Sequence, residues 1–248
     1  MQRLVFALLM SLVLTGCGSD GDTIAAPDPV PTVQTEVTTA PAAPAEALSK
    51  DAEAVKRIAA AGDGSAITKG GGQCALPAAC LDLSDLGITS LPAEIGLLTK
   101  LEELRIWDNQ ITALPPEIGQ LTKLQEVRFS RNQLTSLPAE IGLLTNLQEL
   151  YLSTNQLTTL PPEIGQLPNL QWLDLDANQL TSLPPEIGQL PNLEQLYLSK
   201  NKLTTLPPEI ERLPKLRVLY VEGNPLDAAS LALLQRLEAR GVDVKKPN

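Results

Sequence analysis

A 23-residue unit repeats five times without a gap between Leu101 and Lys215. The unit reads LxxLxLxxNxLTxLPxEIxxLxx, and its copies begin at Leu101, Leu124, Leu147, Leu170 and Leu193. A degenerate copy (78–100) precedes them, and a partial copy beginning at Leu216 follows. A fixed period of this size predicts a solenoid, whose stacked units share one elongated core and offer one long surface to a partner. The repeat therefore predicts the fold and favours recognition as the function.

The composition excludes several function classes. The 248 residues carry a formal net charge of -10 and contain no histidine. The charge argues against a nucleic-acid partner, because phosphate binding requires clustered Lys and Arg. The absence of histidine removes the commonest general base and the commonest metal ligand. We interpret the acidity as a contribution to solubility and expect no cofactor and no enzymatic activity.

The first 16 residues have the pattern of an export signal. Arg3 precedes an apolar run from Leu4 to Leu14, which is too short for an ordinary membrane span and has the length of a signal-peptide core. The run ends in Leu-Thr-Gly followed by Cys17. These residues resemble the lipobox of bacterial lipoproteins, and the resemblance covers about the first 18 residues.

That resemblance implies a lipid anchor. In the lipoprotein family the chain is cut before the cysteine, so residues 1–16 would be removed and Cys17 would carry the acyl chains, palmitate among them. Several acyl chains hold far more firmly than one. Gly18 stands where an Asp would favour inner-membrane retention, so the resemblance implies the outer membrane of a Gram-negative cell envelope. The alternative is a plain secretory signal with an incidental cysteine.

The segment between the signal and the repeats divides into a tether and a cap. Residues 17–47 are rich in Ala, Pro and Thr and nearly lack large apolar side chains, so they should form a disordered tether. Residues 48–80 should form an N-terminal cap that begins with a short helix over Ser49–Ala61. Glycine-rich stretches follow that helix and break the chain.

Two cysteines remain once Cys17 is assigned to lipid. The exported location is oxidising, so we expect a disulfide between Cys74 and Cys80 within the cap. Zinc binding would require two further ligands, and the spacing is not the CxxC of a redox pair.

The first half of each unit alternates like a β-strand whose apolar side chains point inward. The predicted inward residues are Leu104, Ile106, Val127, Phe129, Leu150, Leu152, Leu173, Leu175, Leu196 and Leu198. An asparagine ladder follows the strands, at Asn109, Asn132, Asn155, Asn178, Asn201 and Asn224. Their side-chain amides should satisfy backbone groups of their own coil and of the next one.

The second half of each unit carries proline where a strand cannot run, which predicts a short helical turn on the convex side. One isoleucine per unit should return to the core, at Ile95, Ile118, Ile141, Ile164, Ile187 and Ile210. The preceding glutamates should form an exposed acidic column, at Glu94, Glu117, Glu140, Glu163, Glu186 and Glu209. Such a column could attract a basic partner, but solubility and protection of the turns are the simpler roles.

The units resemble the leucine-rich repeat family, in the 23-residue LPxxI subclass found in Ras-associated, plant intracellular and many bacterial proteins. The match covers residues 81–226. It implies an α/β solenoid, curved, with a parallel β-sheet on its concave face and short helical turns on its convex face. Helical caps should close both ends. Over residues 227–248 we expect an amphipathic cap helix spanning Asp227–Arg240, with Leu231, Leu234 and Leu237 facing inward, followed by a tail.

The candidate binding surface is the concave face, formed by unit positions three, five and seven with position eight at its edge. It holds every Trp and Tyr of the chain, namely Trp107, Tyr151, Trp172, Tyr197 and Tyr220. Its charges are sorted, with Arg105, Arg128 and Arg131 toward the N-terminal end and Asp174, Asp176 and Glu222 toward the other. A neighbouring lane of Glu103, Glu126 and Glu149 should pair with the arginines. Gathered aromatics suggest a recognition patch, since Tyr, Trp and Arg dominate binding hot spots.

Blander interpretations of the same residues remain open. Aromatic side chains favour sheets, which alone accounts for one or two of the five. Asp174 and Asp176 alternate on one strand, but two carboxylates make a weak calcium site, so we expect no metal.

We therefore expect a lipid-anchored, non-catalytic protein-binding module of the bacterial cell envelope. The alternatives are a structural or regulatory scaffold or inhibitor in the envelope, and a surface adhesin that binds host protein or glycan.

Overall fold

The computed structural model describes residues 67–68 and 80–247. The predicted signal peptide, the tether, the cap helix over Ser49–Ala61 and the cysteines Cys17 and Cys74 lie outside the described residues.

Within the described residues, nine short strands form one parallel sheet, in which each strand pairs with the next along the chain. They are β1 (Ile67–Thr68), β2 (Cys80–Asp82), β3 (Glu103–Arg105), β4 (Glu126–Arg128), β5 (Glu149–Tyr151), β6 (Trp172–Asp174), β7 (Gln195–Tyr197), β8 (Val218–Tyr220) and β9 (Asp243–Lys245). Within the repeats, each strand residue pairs with the residue one period later, as Leu104 does with Val127 and Val127 with Leu150. Equivalent unit positions therefore stack in rows across the sheet.

Short 3-10 helices return the chain along the opposite, convex side. They are η1 (Ala93–Leu97), η2 (Pro116–Gln120), η3 (Ala139–Leu143), η4 (Pro162–Gln166), η5 (Pro185–Gln189) and η6 (Pro208–Arg212). A proline in extended backbone caps each of them, and its carbonyl accepts the first turn bond, as Pro115 does from the Ile118 N–H at 3.0 Å. Proline suits this position because its fixed φ begins the turn and it has no N–H to leave unpaired. The predicted helical turns are confirmed.

One apolar cluster fills the space between the sheet and the turns, from Leu81 to Val242. Leu104, Leu150 and Ile118 are fully buried within it, and all ten predicted inward strand residues and all six turn isoleucines lie in this core. The predicted core is confirmed, and it is built almost entirely from leucine and isoleucine.

The glutamate column is only half-exposed, which corrects the expectation of an exposed row. Each glutamate from Glu117 onward packs against the glycine that follows the isoleucine of the preceding unit. A Cβ added to Gly188 would lie 2.3 Å from the Glu209 carbonyl oxygen and 2.6 Å from its Cβ, well inside contact distance. The glycine is therefore required by the close approach of consecutive turns. In the last full unit Glu211 replaces it, and there the carboxylate pairs with Arg236 of the C-terminal helix.

The asparagine ladder is confirmed in place, with one correction of direction. Asn155 Oδ1 accepts from the Leu134 N–H at 3.0 Å, and its Nδ2 donates to the Phe129 and Leu152 carbonyls, both at 3.0 Å. Two of these partners belong to the preceding coil, not to the next one. The residue before each asparagine has positive φ, between 54° and 72°, at Asp108, Arg131, Thr154, Ala177, Lys200 and Gly223. The left-handed backbone conformation of that residue directs the asparagine amide toward the preceding coil.

The C-terminal end is closed by helix α1 (Ala228–Ala239), whose first turn is capped by Asp227, accepting from the Ser230 N–H at 2.8 Å. The predicted inward face is partly wrong, because Leu231 is 37% exposed whereas Leu233 is buried. Ser230 is also buried and accepts from the Leu206 N–H, which ties the helix to the last unit. In the part of the chain with described structure, no helix is long and apolar enough to cross a membrane.

Strand β9 lies in the segment that the sequence predicts to be a tail, which corrects that expectation. Its three residues pair with β8, with Leu219 opposite Val244 and Tyr220 opposite Lys245. Three residues outside the repeat pattern carry too little periodicity to indicate a strand. β9 extends the sheet and adds one more position to each row of the concave face.

Candidate functional site

The concave face is organised by the register of the strands. Unit position five forms a row of Arg105, Arg128, Tyr151, Asp174, Tyr197, Tyr220 and Lys245, each directly opposite the next. Position three forms a parallel row that includes the predicted glutamate lane and Trp172. Neighbouring strands lie about 4.8 Å apart, so side chains within a row touch.

Four of the five predicted aromatics form one continuous aromatic ladder: Tyr151, Trp172, Tyr197 and Tyr220. The Tyr151 and Trp172 ring centroids are 5.8 Å apart, those of Trp172 and Tyr197 are 4.9 Å apart in a stacked arrangement, and those of Tyr197 and Tyr220 are 5.2 Å apart edge to face. Each contact of this kind contributes roughly 0.5–1.5 kcal/mol beyond the burial of area. The rings are half-buried by one another and present a rigid surface.

The chain's own cations cover both ends of the aromatic ladder. The Arg128 guanidinium lies 5.2 Å from the Tyr151 ring centroid, and Lys245 Nζ lies 4.2 Å from that of Tyr220. A cation over a ring face is attracted by the ring quadrupole. Lys245 is a residue that sequence reasoning missed, because its strand lies outside the repeat.

Trp107 does not join the aromatic ladder. It stands at position seven of its unit, after β3, and is 40% exposed. No ring contact to the other aromatics is present among the described residues. The predicted patch of five aromatics is therefore a group of four with a separate tryptophan.

The glutamate lane pairs with the arginines within single strands, as expected for two of them. Arg105 Nε donates to Glu103, and Arg128 Nε donates to Glu126. Arg131, at the edge of the face, instead lies 3.7 Å from the Asp108 carboxylate. The cationic end of the concave face is thus largely neutralised by its own carboxylates.

The tyrosine hydroxyls follow the same pattern of pairing. Tyr151 donates to Glu149 at 2.6 Å, and Tyr197 donates to Gln195 at 2.7 Å, each within one strand. Tyr220 donates across strands to Asp243 at 3.1 Å. Burial and the hydrogen bond to Glu149 raise the pKa of Tyr151, so its phenol remains protonated.

Asp174 and Asp176 lie beside the aromatic ladder. Asp174 is directly opposite both Tyr151 and Tyr197, and its Oδ1 accepts from the Asp176 N–H at 3.0 Å. Asp176 Oδ1 accepts from the Ser199 N–H at 2.6 Å. Neither carboxylate has a salt bridge within the described part of the chain.

The protonation of Asp176 is set by its surroundings. Partial burial raises its pKa to about 6, and the neighbouring Asp174 carboxylate adds to that rise. The Ser199 hydrogen bonds and the positive charge of Lys200 act in the opposite direction but are outweighed. Asp176 therefore changes charge near neutral pH.

Trp172 carries an unsatisfied polar group, since its indole Nε1 is buried and has no acceptor among the described residues. A buried donor without a partner costs about 1–3 kcal/mol. The ring contacts on either side must therefore offset this cost and hold the indole in place.

Metal binding finds no support in the described residues 67–68 and 80–247. They contain no group of three or more His, Cys, Asp or Glu placed to hold an ion. Asp174 and Asp176 supply two carboxylates, and one oxygen of each already accepts a backbone N–H.

Sequence comparison assigns the repeats to one family. The family described as "Leucine rich repeat" matches residues 141–180 and 168–226, and the one described as "Leucine-rich repeat region" matches residues 79–160. Curated protein sequences gave no significant match.

Solved structures with the same fold include two plant receptors. The plant peptide hormone receptor RGFR1 in complex with RGF2 is 31% identical, with a TM-score of 0.56, over 64% of this chain and 26% of the receptor. The ectodomain of the Arabidopsis thaliana receptor kinase GASSHO1/SCHENGEN3, in complex with CASPARIAN STRIP INTEGRITY FACTOR 2, is 35% identical, with a TM-score of 0.52, over 56% of this chain and 17% of that one.

A leucine-rich repeat protein of Leptospira interrogans is 37% identical, with a TM-score of 0.49, over 66% of this chain and 53% of that one. The chain thus spans about a quarter of the plant hormone receptor and about half of the bacterial protein. Between residues 79 and 226 the chain therefore belongs to the leucine-rich repeat family, whose fold serves protein–protein interaction.

Proposed function

We propose that this protein is a lipid-anchored, non-catalytic module of the bacterial cell envelope that binds a protein partner through its concave face. The observation that carries the proposal is the aromatic ladder. Aromatic side chains provide large contact area at a small cost in conformational entropy, and these four are already ordered by one another.

The solved relatives support a protein or peptide as the partner. Two of the plant receptors were solved in complex with RGF2 and with CASPARIAN STRIP INTEGRITY FACTOR 2. This chain matches only part of each receptor, so the identity of its own partner depends on the residues of its own surface. That surface offers no histidine and no arrangement of nucleophile and base, which supports binding over catalysis.

The concave face is tested by a matched pair of captures from solubilised envelopes. The tagged full chain is compared with a variant in which Tyr151, Trp172, Tyr197 and Tyr220 are changed to Ser. A second variant changes the exposed convex residues Leu97, Leu143, Gln166 and Gln189 to Ser, and circular dichroism checks the folding of all three. We expect one protein to be retained by the wild type and the convex variant and lost by the concave variant. Loss only with the convex variant would place the binding site on the other side.

The lipid anchor is proposed from the resemblance of Leu14 to Cys17 to a lipobox. The Cys17→Ser variant should leave the membrane fraction and lose the acyl mass found by mass spectrometry. Retention of the variant in the membrane fraction would contradict the proposal. Gly18 supports the outer membrane, and density-gradient separation of the two membranes tests that assignment.

We also propose that Cys74 is the disulfide partner of Cys80. Cys80 begins β2, is buried and is assigned to a disulfide, and only Cys17 and Cys74 are available to it. An oxidising envelope and the use of Cys17 for lipid support Cys74. Peptide mapping with and without reductant should find one Cys74–Cys80 peptide. A free thiol at Cys74 would contradict this pairing.

The scaffold and adhesin alternatives differ in exposure. An adhesin that binds host protein or glycan must face outward, whereas an envelope scaffold or inhibitor can face inward. Protease treatment of intact cells should remove the repeats only if they lie outside the cell.

A further inference from the structure

We propose that the middle of the aromatic ladder, together with Asp174 and Asp176, binds an arginine side chain of the partner. This inference rests on the proposed function and names the chemistry that the partner must present. It concerns the stretch of the concave face from β5 to β8.

The first argument is an excess of hydrogen-bond acceptors. The hydroxyl protons of Tyr151, Tyr197 and Tyr220 are all donated to acceptors of the protein, so their oxygens offer only lone pairs to a partner. The adjacent Asp174 and Asp176 carboxylates are acceptors as well. A ligand complementary to this stretch must therefore be rich in donors.

The second argument is charge. At the N-terminal end of the face, Arg105 and Arg128 are paired with glutamates, so that end is balanced. Asp174 and Asp176 have no such counter-charge within 4 Å among the described residues, and Lys245 lies over the Tyr220 ring. The centre of the ladder thus carries two carboxylates that form no ion pair within the described residues, and a cation from a partner would complement them.

The third argument is that the molecule already contains this kind of contact. The Arg128 guanidinium lies over the Tyr151 ring while it is hydrogen-bonded to Glu126, which combines an aromatic face with a carboxylate. Asp174, between Tyr151 and Tyr197 in register, repeats this combination, and no cation among the described residues forms an ion pair with it.

These features favour arginine over lysine. Guanidinium is planar, donates five hydrogen bonds in a fixed fork and packs against aromatic surfaces. Ammonium is compact, more strongly hydrated and gains less from a flat aromatic neighbour. A neutral glycan fits less well, because it brings no positive charge to the Asp174 and Asp176 carboxylates.

The test uses Trp172 as its own reporter. In full-length protein, Trp107→Phe leaves Trp172 as the single tryptophan. Its fluorescence is titrated with the peptide Ala-Ala-Arg-Ala-Ala and with matched peptides that carry lysine or the neutral isostere citrulline. We expect a saturable change with the arginine peptide and an affinity at least about tenfold lower with citrulline, because the neutral isostere loses the charge-assisted hydrogen bonds to the carboxylates.

The matched variant replaces Asp174 and Asp176 by Asn, which keeps the Oδ1 acceptors and removes the charges. It should weaken binding of the arginine peptide about tenfold or more, while Glu140→Gln on the convex side leaves it unchanged. Single Asn variants serve if circular dichroism shows that the double variant is not folded. Equal affinity for arginine and citrulline, no saturable change, or binding of maltohexaose in place of the peptides would overturn the inference. Any of these results together with ladder-dependent capture would leave the proposed function standing.

Discussion

Trp172 of β6 and Tyr197 of β7 stack with their ring centroids 4.9 Å apart and their planes 30° apart. They occupy different unit positions, three and five, so the contact runs diagonally between neighbouring strands. Through it the four rings of the aromatic ladder become one rigid surface instead of separate side chains. That rigidity is the basis of the proposed binding role.

The coupling between these two rings is measurable. In a double-mutant cycle with Trp172→Ala and Tyr197→Ala, we expect a coupling energy of about 0.5–1.5 kcal/mol in the free energy of unfolding by urea. A parallel cycle with Trp107→Ala in place of the Trp172 change should give a value near zero, because Trp107 has no contact with the ladder. Equal values in the two cycles would show that the stacking does not stabilise the fold.

The glycines between the convex turns should resist substitution to a graded extent. In Gly188→Ala the new Cβ lies 2.3 Å from the Glu209 carbonyl oxygen, so one turn must move. We expect the free energy of unfolding to fall by about 1–3 kcal/mol. In Gly96→Ala the nearest atom is the flexible end of Gln120, at 2.8 Å, and the loss should be smaller. Urea unfolding of both variants checks the order. A larger loss for Gly96→Ala would contradict the packing argument.

The asparagine ladder should matter far more than the exposed asparagines. Asn155→Ala leaves the Leu134 N–H without a partner in the core. The Phe129 and Leu152 carbonyls each lose one of two amide donors and keep the other, from Asn132 and Asn178, so we expect the free energy of unfolding to fall by about 1–3 kcal/mol. Asn146 also bonds the preceding coil, donating to the Thr122 carbonyl at 2.7 Å, but it does so in solvent. Asn146→Ala should cost no more than about 0.5 kcal/mol. Thermal or urea unfolding distinguishes them, and similar losses would contradict the ladder's role.

The pH dependence of stability should report Asp176. Its pKa is raised to about 6 in the folded state from an ordinary 3.8, so folding favours its protonated form. That stabilisation is complete below pH 3.8 and is lost as the pH rises through about 6. The nearby charges are Asp174 at the end of β6 and Lys200 after β7, and the Ser199 N–H donates to Asp176.

Asp176→Asn removes this titration and keeps the Oδ1 acceptor. The free energy of unfolding of the variant, relative to wild type, should become more favourable as the pH rises from about 4 to about 7. Urea unfolding across that range provides the measurement. A difference between variant and wild type that does not change with pH would show that Asp176 titrates normally.

The sequence pattern could predict most of the fold. Alternation within each strand predicts which side chains point inward, and the 23-residue repeat predicts that each unit forms one coil of the solenoid. Leu150 and Ile164 were therefore predicted correctly as core residues. β9 could not be predicted, since Asp243–Lys245 lies outside the repeat and pairs only because α1 brings it beside β8.

The site was predictable in location but not in detail. The concave position of Trp172 followed from the unit, whereas its contact with Tyr197 depends on side-chain rotamers that no pattern records. The same holds for Glu209, whose half-burial arises from the glycine of the preceding unit. Close contacts between neighbouring coils depend on the three-dimensional packing, which the sequence pattern does not specify.

The most direct test of the central claim is site-specific photocrosslinking in cells that produce the protein. A benzoylphenylalanine residue replaces Ser153 on the concave face or, in a separate strain, the exposed convex Gln166. We predict a discrete protein adduct from position 153 that disappears when Tyr197 and Tyr220 are also changed to Ser, and no adduct from position 166. An adduct from position 166 alone, or one at position 153 that is unaffected by loss of the two rings, would contradict binding through the concave face.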